Sequence, residues 1–577
     1  MLKRAKLSAA IAVLIGLSIT PAVAENPQPR KIYSGWIPYY GMKTSLPAAL
    51  NNADLIREVM PFWYTLKYNG KKVTIADLYS PANPSVPIAI PLATMKNAGM
   101  TIIPTITDGT DKLVLSNLLS TENGRTEAVN AITELVLARN FRNFDGIDLD
   151  FEGFAFVDGN TTWNKTKPFW VAFIKQLSAT LRANGKLLSV TTPYLLDPAS
   201  GKKGYFVYAW ADIAADIDRL RIMTYDYSVA KPGPIGPISW TESTVKYATS
   251  IMPASKVFLG LAGYGRDWVT KVAGVCPADV AKSVVAGAKA ATFLMSNAAN
   301  LAAGYGATIT YNETHQEATF TYQKVYNGNT STGLSTSCTA SRVAWYQDAR
   351  AFEARANLVG KYRLGGVVAW TIGFEDPQAM EKIRNVALSI APDKVLSSIT
   401  SDLTEFTYGQ LINLSGTFTL ADKQPIASLP VKVEVKNSLD QSWREITTLT
   451  TGVDGKVTLP IYLGVNQNIR LRSDGTWERL EGISNEQSIK VKPQIKIKAP
   501  TSAAMNSKIS LSGVVNPGKQ IPVLLEKFDG KWTQVASGMT DTNGLYTFSY
   551  SVGSSPFLNL RVSAAGSTST PVTVAVR

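Results

Sequence analysis

Residues 144–153 read FDGIDLDFEG and place four carboxylates, Asp145, Asp148, Asp150 and Glu152, within eight positions. Side chains alternate in an extended chain, so Asp148, Asp150 and Glu152 share one face while Ile147, Leu149 and Phe151 share the other. Neighbouring acids on that face lie about 6–7 Å apart along the strand, too close for all to ionise in a low-dielectric setting. At least one therefore keeps a proton near neutral pH, and a protonated carboxyl at an open rim is a general acid. Asp145, Gly146 and Gly153 read as structural. A calcium loop of the EF-hand kind is disfavoured, because the twelfth position from Asp148 is Gly159 where a bidentate Glu is required. With His315 as the single histidine, Cys276 and Cys338 as the only cysteines and no G-x-S-x-G elbow, neither a His-rich metal site nor a Ser-His-Asp triad is in view. Carboxylates must carry any hydrolysis, with no metal and no cofactor.

Such a row needs a strand whose two faces both meet protein. Eight short apolar segments run from about residue 31 to 392: KIYSGWIPYY, LIREVMPFWYTL, MTIIPTITDG, FDGIDLDFEG, KLLSVTTPYL, RLRIMTYDYS, KVFLGLAGYG and GGVVAWTIGF. Between them lie segments with three- and four-residue apolar spacing, such as AVNAITELVLARN and FWVAFIKQLSATLRANG. This alternation predicts an α/β chain folded as a (β/α)8 TIM barrel over residues 25–394, with an open doubly wound sheet as the alternative. In the barrel the acidic row points inward and climbs toward the C-terminal rim, where barrel enzymes work. Residues 268–342 hold strand-like ATITYNET and QEATFTYQKVY plus both cysteines, which predicts a small α+β insertion before the last strand. From residue 395 the texture turns to Thr, Ser, Val and Gly with period-two alternation, and NLSGTFTL and IRLRSDG recur as SLSGVVNP and LRVSAAG. Two all-β immunoglobulin-like sandwiches follow, over 395–492 and 493–577. Trp443, Trp477 and Trp532 in them read as core residues, with carbohydrate stacking as the alternative.

The first residues carry Lys3, Arg4 and Lys6, then an apolar run, then Ala22-Val23-Ala24, the pattern of a signal peptide over 1–24 cleaved before Glu25. No later stretch is apolar for long enough to span a membrane. An exported chain makes a Cys276–Cys338 disulfide the simplest pairing, with two buried free thiols as the alternative. The formal net charge is +14, about +11 without the leader, which draws the protein toward polyanions such as anionic cell-wall polymers. No nucleic-acid-binding signature accompanies that charge.

DGIDLDFE resembles the D-G-x-D-x-D-x-E signature of family 18 glycoside hydrolases, the chitinase and endo-N-acetylglucosaminidase family, on its fourth strand. MTYDY at 223–227, GYGRDW at 263–268 and VAWTIGFED at 368–376 resemble its sixth-, seventh- and eighth-strand segments, the last in the form seen in the bacterial cell-wall and spore-cortex branch. PTITDGT departs from the family's third-strand S-x-G-G, and Ser228 stands where many chitinases have His.

The resemblance implies retaining hydrolysis of β-1,4-linked N-acetylglucosamine glycans, peptidoglycan or chitin, in which the substrate's 2-acetamido group is the nucleophile. It assigns Glu152 as the acid, kept undissociated by the aspartates beneath it, and Asp150 as the partner of the acetamido N–H. Asp148 shares a proton with Asp150 from below, and Tyr225 bonds the acetamido carbonyl. Asp226 contacts the same sugar from the opposite wall and Trp370 forms the floor, with Met223 in the binding set. Arg266 binds sugar hydroxyls or pairs with an acid. Tyr40 and Phe62 are rim-end candidates for subsites, as are Trp36, Tyr39 and Trp63, although packing serves each equally well. The expectation is a secreted or wall-associated monomeric enzyme, with a lectin-like or surface-adhesion protein on the same fold as the alternative.

Overall fold

The computed structural model describes residues 28–138, 144–437, 440 and 442–577, so the leader and its cleavage site lie outside the described residues. All eight apolar segments form strands: β1 (Tyr33–Pro38), β2 (Ile56–Tyr68), β3 (Thr105–Asp108), β4 (Gly146–Asp150), β5 (Leu187–Pro193), β6 (Arg219–Met223), β7 (Val257–Ala262) and β8 (Gly366–Trp370). Each pairs in parallel with its neighbours, and β1 pairs with both β8 and β2, which closes a TIM barrel. Every residue of β1, β4 and β7 is buried, because helices cover the outer face and side chains fill the inside. Register sets what lies level inside: Asp148 is opposite Thr105 on β3 and Ser189 on β5.

The two helix-like segments named above become α1 (Glu122–Leu137) and α2 (Trp163–Ala183). Both begin earlier than their apolar runs. The side chain of Thr121 accepts the Gly124 N–H at 3.1 Å and so caps α1 ahead of the first apolar residue. In α2, Trp163, Thr166, Trp170, Phe173, Ile174, Leu177 and Leu181 are buried at three- and four-residue intervals, and the helix continues through Pro168. Among the described residues no helix is long and apolar enough to cross a membrane.

The insertion is a five-stranded antiparallel sheet with a helix at Ala298–Gly304. It starts at Tyr264, not 268, since β7 stops at Ala262 and Tyr264–Gly274 turns away to pair with Ser335–Tyr346. The GYG expected at the end of the seventh strand thus belongs mostly to the inserted sheet. Cys276 and Cys338 form a disulfide that closes the insertion on itself.

From Pro392 the chain forms a second compact unit. It holds two all-β sandwiches, each a three-stranded sheet facing a larger one, around separate cores that include Ile399, Phe418, Val433 and Ile469 in one and Leu511, Val523, Phe548 and Leu560 in the other. Trp443 and Trp532 lie outside both cores. The guanidinium of Arg470 sits 4.3 Å from the Trp443 ring and is held by Glu434 at 2.7 Å; Arg561 sits 4.3 Å from the Trp532 ring and is held by Glu526 at 2.6 Å.

A disulfide bridging a sequence separation of 62 residues stabilises by about 4 kcal/mol on the chain-entropy model. Cys276→Ser/Cys338→Ser is expected to lower the insertion's unfolding transition by several degrees in calorimetry, and alkylation of the native protein under denaturing, non-reducing conditions is expected to label no thiol.

Candidate active site

Closing the barrel forces the β4 acids together in a space shielded from bulk water. Asp148 is fully buried and saturated with donors. Its Oδ1 accepts from Ser189 Oγ at 2.6 Å and Thr191 Oγ1 at 3.0 Å; its Oδ2 accepts from Thr105 Oγ1 at 2.8 Å and Trp36 Nε1 at 3.4 Å. Arg221 Nε approaches Oδ1 to 3.8 Å.

Asp150 has a different environment. It is buried, its Oδ1 has no hydrogen-bond partner among the described residues, and its carboxyl is held well above the ordinary range by burial, then by the charges of Glu152 and Asp148. Glu152 stands just past the end of β4 on the turn Gly153–Phe156. That turn is tied down from behind, since Tyr208 Oη donates to the Phe151 carbonyl at 2.7 Å and Trp163 Nε1 to the Phe154 carbonyl at 2.6 Å. A Cβ on Gly153 would lie 2.3 Å from Asp108 Oδ2, so only glycine leaves room for that carboxylate behind the turn. The Glu152 carboxyl is pushed up to about 7, first by burial and then by Asp226. Besides burial, Asp226 across the cleft raises the Glu152 carboxyl, and the Asp150 and Glu152 carboxyls repel one another along the strand.

Tyr225 and Asp226 follow β6. Burial, then Tyr264, Asp150 and Glu152 push the Tyr225 hydroxyl well above its ordinary range, so it remains a phenol able to donate. Asp226 adopts a left-handed backbone, φ 58°, uncommon outside glycine and found where a site needs a side chain re-aimed. Its Oδ1 accepts from Tyr264 Oη at 2.7 Å, from Arg266 Nε at 2.8 Å, and lies 2.7 Å from Arg266 Nη2. Tyr264 and Arg266 sit two apart on the first strand of the insertion and so share a face. Arg266 thus pairs with an acid and also lines the cleft.

These groups open on a cleft of about 680 Å³, lined by Asp150, Glu152, Met223, Tyr225, Asp226, Arg266 and Trp370 among others. The Trp370 ring is held by Trp36 at 5.7 Å and by Phe62 at 4.8 Å between centroids. Phe62 stands behind Trp370 and does not line the cleft, whereas Trp36 does. Tyr40 is 60% exposed, packs on Tyr39 and lies outside the cleft. Its strand ends at Pro38, two residues earlier.

Sequence reasoning missed one wall. Phe156, Tyr205, Tyr194, Trp240 and Tyr227 form a chain of edge and tilted ring contacts with centroids 4.8–5.4 Å apart, of which the first three line the cleft. Tyr194 directly follows the end of β5 at Pro193 and was findable from the rim rule for barrel enzymes. Tyr205 and Phe156 come from loops with no pattern of their own.

Residues 39–375 match the model for glycosyl hydrolases family 18. The cortical fragment-lytic enzymes of Bacillus anthracis and Bacillus cereus are 28% and 25% identical to this chain over 253 and 345 residues, covering 43% and 59% of this chain and 50% and 71% of theirs. That of Bacillus subtilis is 25% identical over 264 residues, 45% of this chain and 53% of its own. The chain spans between half and three-fifths of the length of most of the curated Bacillus relatives it matches. Solved structures resembling it include a chitinase from Chromobacterium violaceum (TM-score 0.49, 21% identity, 62% of this chain and 98% of that one) and the Bacillus megaterium spore cortex-lytic enzyme SleL (TM-score 0.48, 20% identity, 62% and 75%).

The sign of the pH dependence follows from Glu152. A group that must donate a proton works below its pKa, so kcat/KM is expected to fall as pH rises through about 7. Removing the opposing charge with Asp226→Asn is expected to move that basic limb to lower pH, whatever the variant's residual rate; a limb that stays in place contradicts the assignment of Asp226 as the charge acting on Glu152.

Proposed function

Because this chain belongs to glycosyl hydrolases family 18 and is a glycoside hydrolase, we propose that it cleaves β-1,4-linked N-acetylglucosamine-containing glycans with retention, the substrate's own acetamido group serving as nucleophile. The observation that carries this reading is the contrast between Asp150 and Glu152: a buried carboxyl with a bare oxygen beside one that keeps its proton to about neutral pH at an open cleft. In the first step the acetamido carbonyl oxygen bonds to the anomeric carbon as the C1–O glycosidic bond breaks. Glu152 gives its proton to the leaving oxygen. In the second, Glu152 as carboxylate takes a proton from water, which attacks the same carbon and opens the oxazolinium ring. The Asp150 carboxyl accepts the acetamido N–H and faces the cation that forms, while the Tyr225 hydroxyl donates to the carbonyl. Trp370 offers an apolar face to the sugar ring, and the Phe156–Tyr205–Tyr194 wall guides the chain on either side.

A bacterial wall glycan is favoured over chitin. The relatives named as cortical fragment-lytic enzymes point that way, as do the net charge of +14 and the leader-like N-terminus, and the reading places the enzyme outside the cell membrane as a secreted or wall-associated protein. The basic chain would then be held near anionic wall polymers.

Loss of general acid catalysis costs roughly 10²–10⁴ in rate, and more where the leaving group is a poor one. Glu152→Gln is expected to abolish release of reducing ends from both peptidoglycan and chitooligosaccharides, with mass spectrometry of wild-type products showing which is cut faster. Unchanged hydrolysis by the variant would refute the proposal.

A further inference from the structure

Under the three carboxylates the barrel floor carries a buried cation that the chemistry above does not use. Arg221, on β6, is fully buried. Its Nη2 meets Glu58 Oε2 at 2.6 Å, its Nε donates to Ser189 Oγ at 2.9 Å and lies 3.8 Å from Asp148 Oδ1, and the ring of Phe258 sits 4.9 Å from its guanidinium carbon. Nη1 has no hydrogen-bond partner among the described residues. Glu58 does not depend on Arg221 alone, because its Oε1 also takes Arg219 Nε at 2.7 Å and lies 3.7 Å from Arg57 Nε. The Arg221 charge is thus only partly offset from below, and its remaining field acts upward on the carboxylate that anchors β4.

The groups facing this column are few. β1, β3 and β5 bring Asp148 only neutral donors, the Trp36 indole and the hydroxyls of Thr105, Ser189 and Thr191. β2 brings Glu58 with Arg57, β4 brings Asp148 and Asp150, β6 brings Arg219 and Arg221, and β7 brings an aromatic ring. Arg221 is the one cation in contact with both Glu58 and Asp148 among the described residues. Buried ion clusters are costly and are broken at high cost, so one placed directly beneath a reacting row calls for a reason besides stability.

We propose that Arg221 is a positioning residue for the hydrolysis: held from below by Glu58, it keeps negative charge on Asp148 and so leaves the exchangeable proton above, with Asp150 and Glu152. This rests on the family 18 reading of the site. Without the cation, the Asp148–Asp150 pair takes up its second proton at higher pH, and with Asp148 already protonated Asp150 can no longer pass its own proton down and so bear charge beside the oxazolinium cation. Glu58 opposes Arg221, so removing Glu58 alone has the reverse effect.

The test uses the full-length chain. Wild type, Glu58→Gln, Arg221→Lys and the charge-neutral double variant Glu58→Gln/Arg221→Met are compared by pH profiles of kcat and KM on a soluble chitooligosaccharide. Each is also titrated by NMR of the carboxyl carbons of 13C-labelled aspartate, a readout independent of turnover. The double variant is expected to move the acid limb of kcat, and the aspartate titration, up by about one to two pH units, with KM changed less than threefold. Glu58→Gln is expected to move both down, and Arg221→Lys to restore the wild-type limb. Variants that unfold at lower temperature while limb and titration stay in place would show a purely structural role and overturn the proposal. If wild type hydrolyses nothing, the family reading of the substrate fails, and the aspartate titrations still decide whether Arg221 sets the charge on Asp148. Should the double variant fail to fold, the opposite shift of Glu58→Gln against the restored limb of Arg221→Lys decides the matter.

Discussion

The site depends on one constraint, that carboxylates stacked along a single strand inside a closed barrel cannot all carry charge. Water would dissolve the conflict, and the barrel excludes it. The protein resolves it by giving each acid a different surrounding: hydroxyls, an indole and a guanidinium for Asp148, almost nothing for Asp150, and an opposing carboxylate for Glu152. Three chemically similar side chains on one face thereby become an anchor, a proton holder and an acid. Environment, more than residue type, separates their roles.

The insertion is part of this arrangement and not an appendage to it. Asp226 acts on Glu152 only while its carboxylate stays in place, and what holds it is the Tyr264–Arg266 pair on the first inserted strand. The barrel supplies the acid and the insertion supplies the grip on the charge that tunes it. The disulfide from Cys276 to Cys338 closes the same sheet near the far end of that strand.

Much of this was legible in the amino-acid sequence because its signals were periodic. The acidic strand, its inward face and all eight barrel strands follow from alternation and from the spacing of apolar runs, as does the inserted sheet to within four residues at its start. The disulfide was one of two readings and is the one formed. Tyr40 lies two residues past the end of β1, where periodicity is silent about direction, and it stands outside the cleft around the acids. The aromatic wall was invisible because its members come from three separate loops and from α-helix Ile238–Ile251, and only the closed fold assembles them. Arg221 and Glu58 are equally mute as letters, since an arginine inside a barrel reads as an exposed one until its strand's register is known. The source of the charge acting on Glu152 needed coordinates as well, because Asp226 is 74 positions away in the chain.

The stacked tryptophan, arginine and glutamate recur in both sandwiches on corresponding strands. Each trio ties the outermost strand of its larger sheet to the two beside it, through Trp443 or Trp532 near the start of that strand, a glutamate on the next and an arginine on the one after. Both fasteners close within a single copy and borrow no side chain from the other. Each bead of the tail is accordingly fastened from within, by the same three residue types on matching strands.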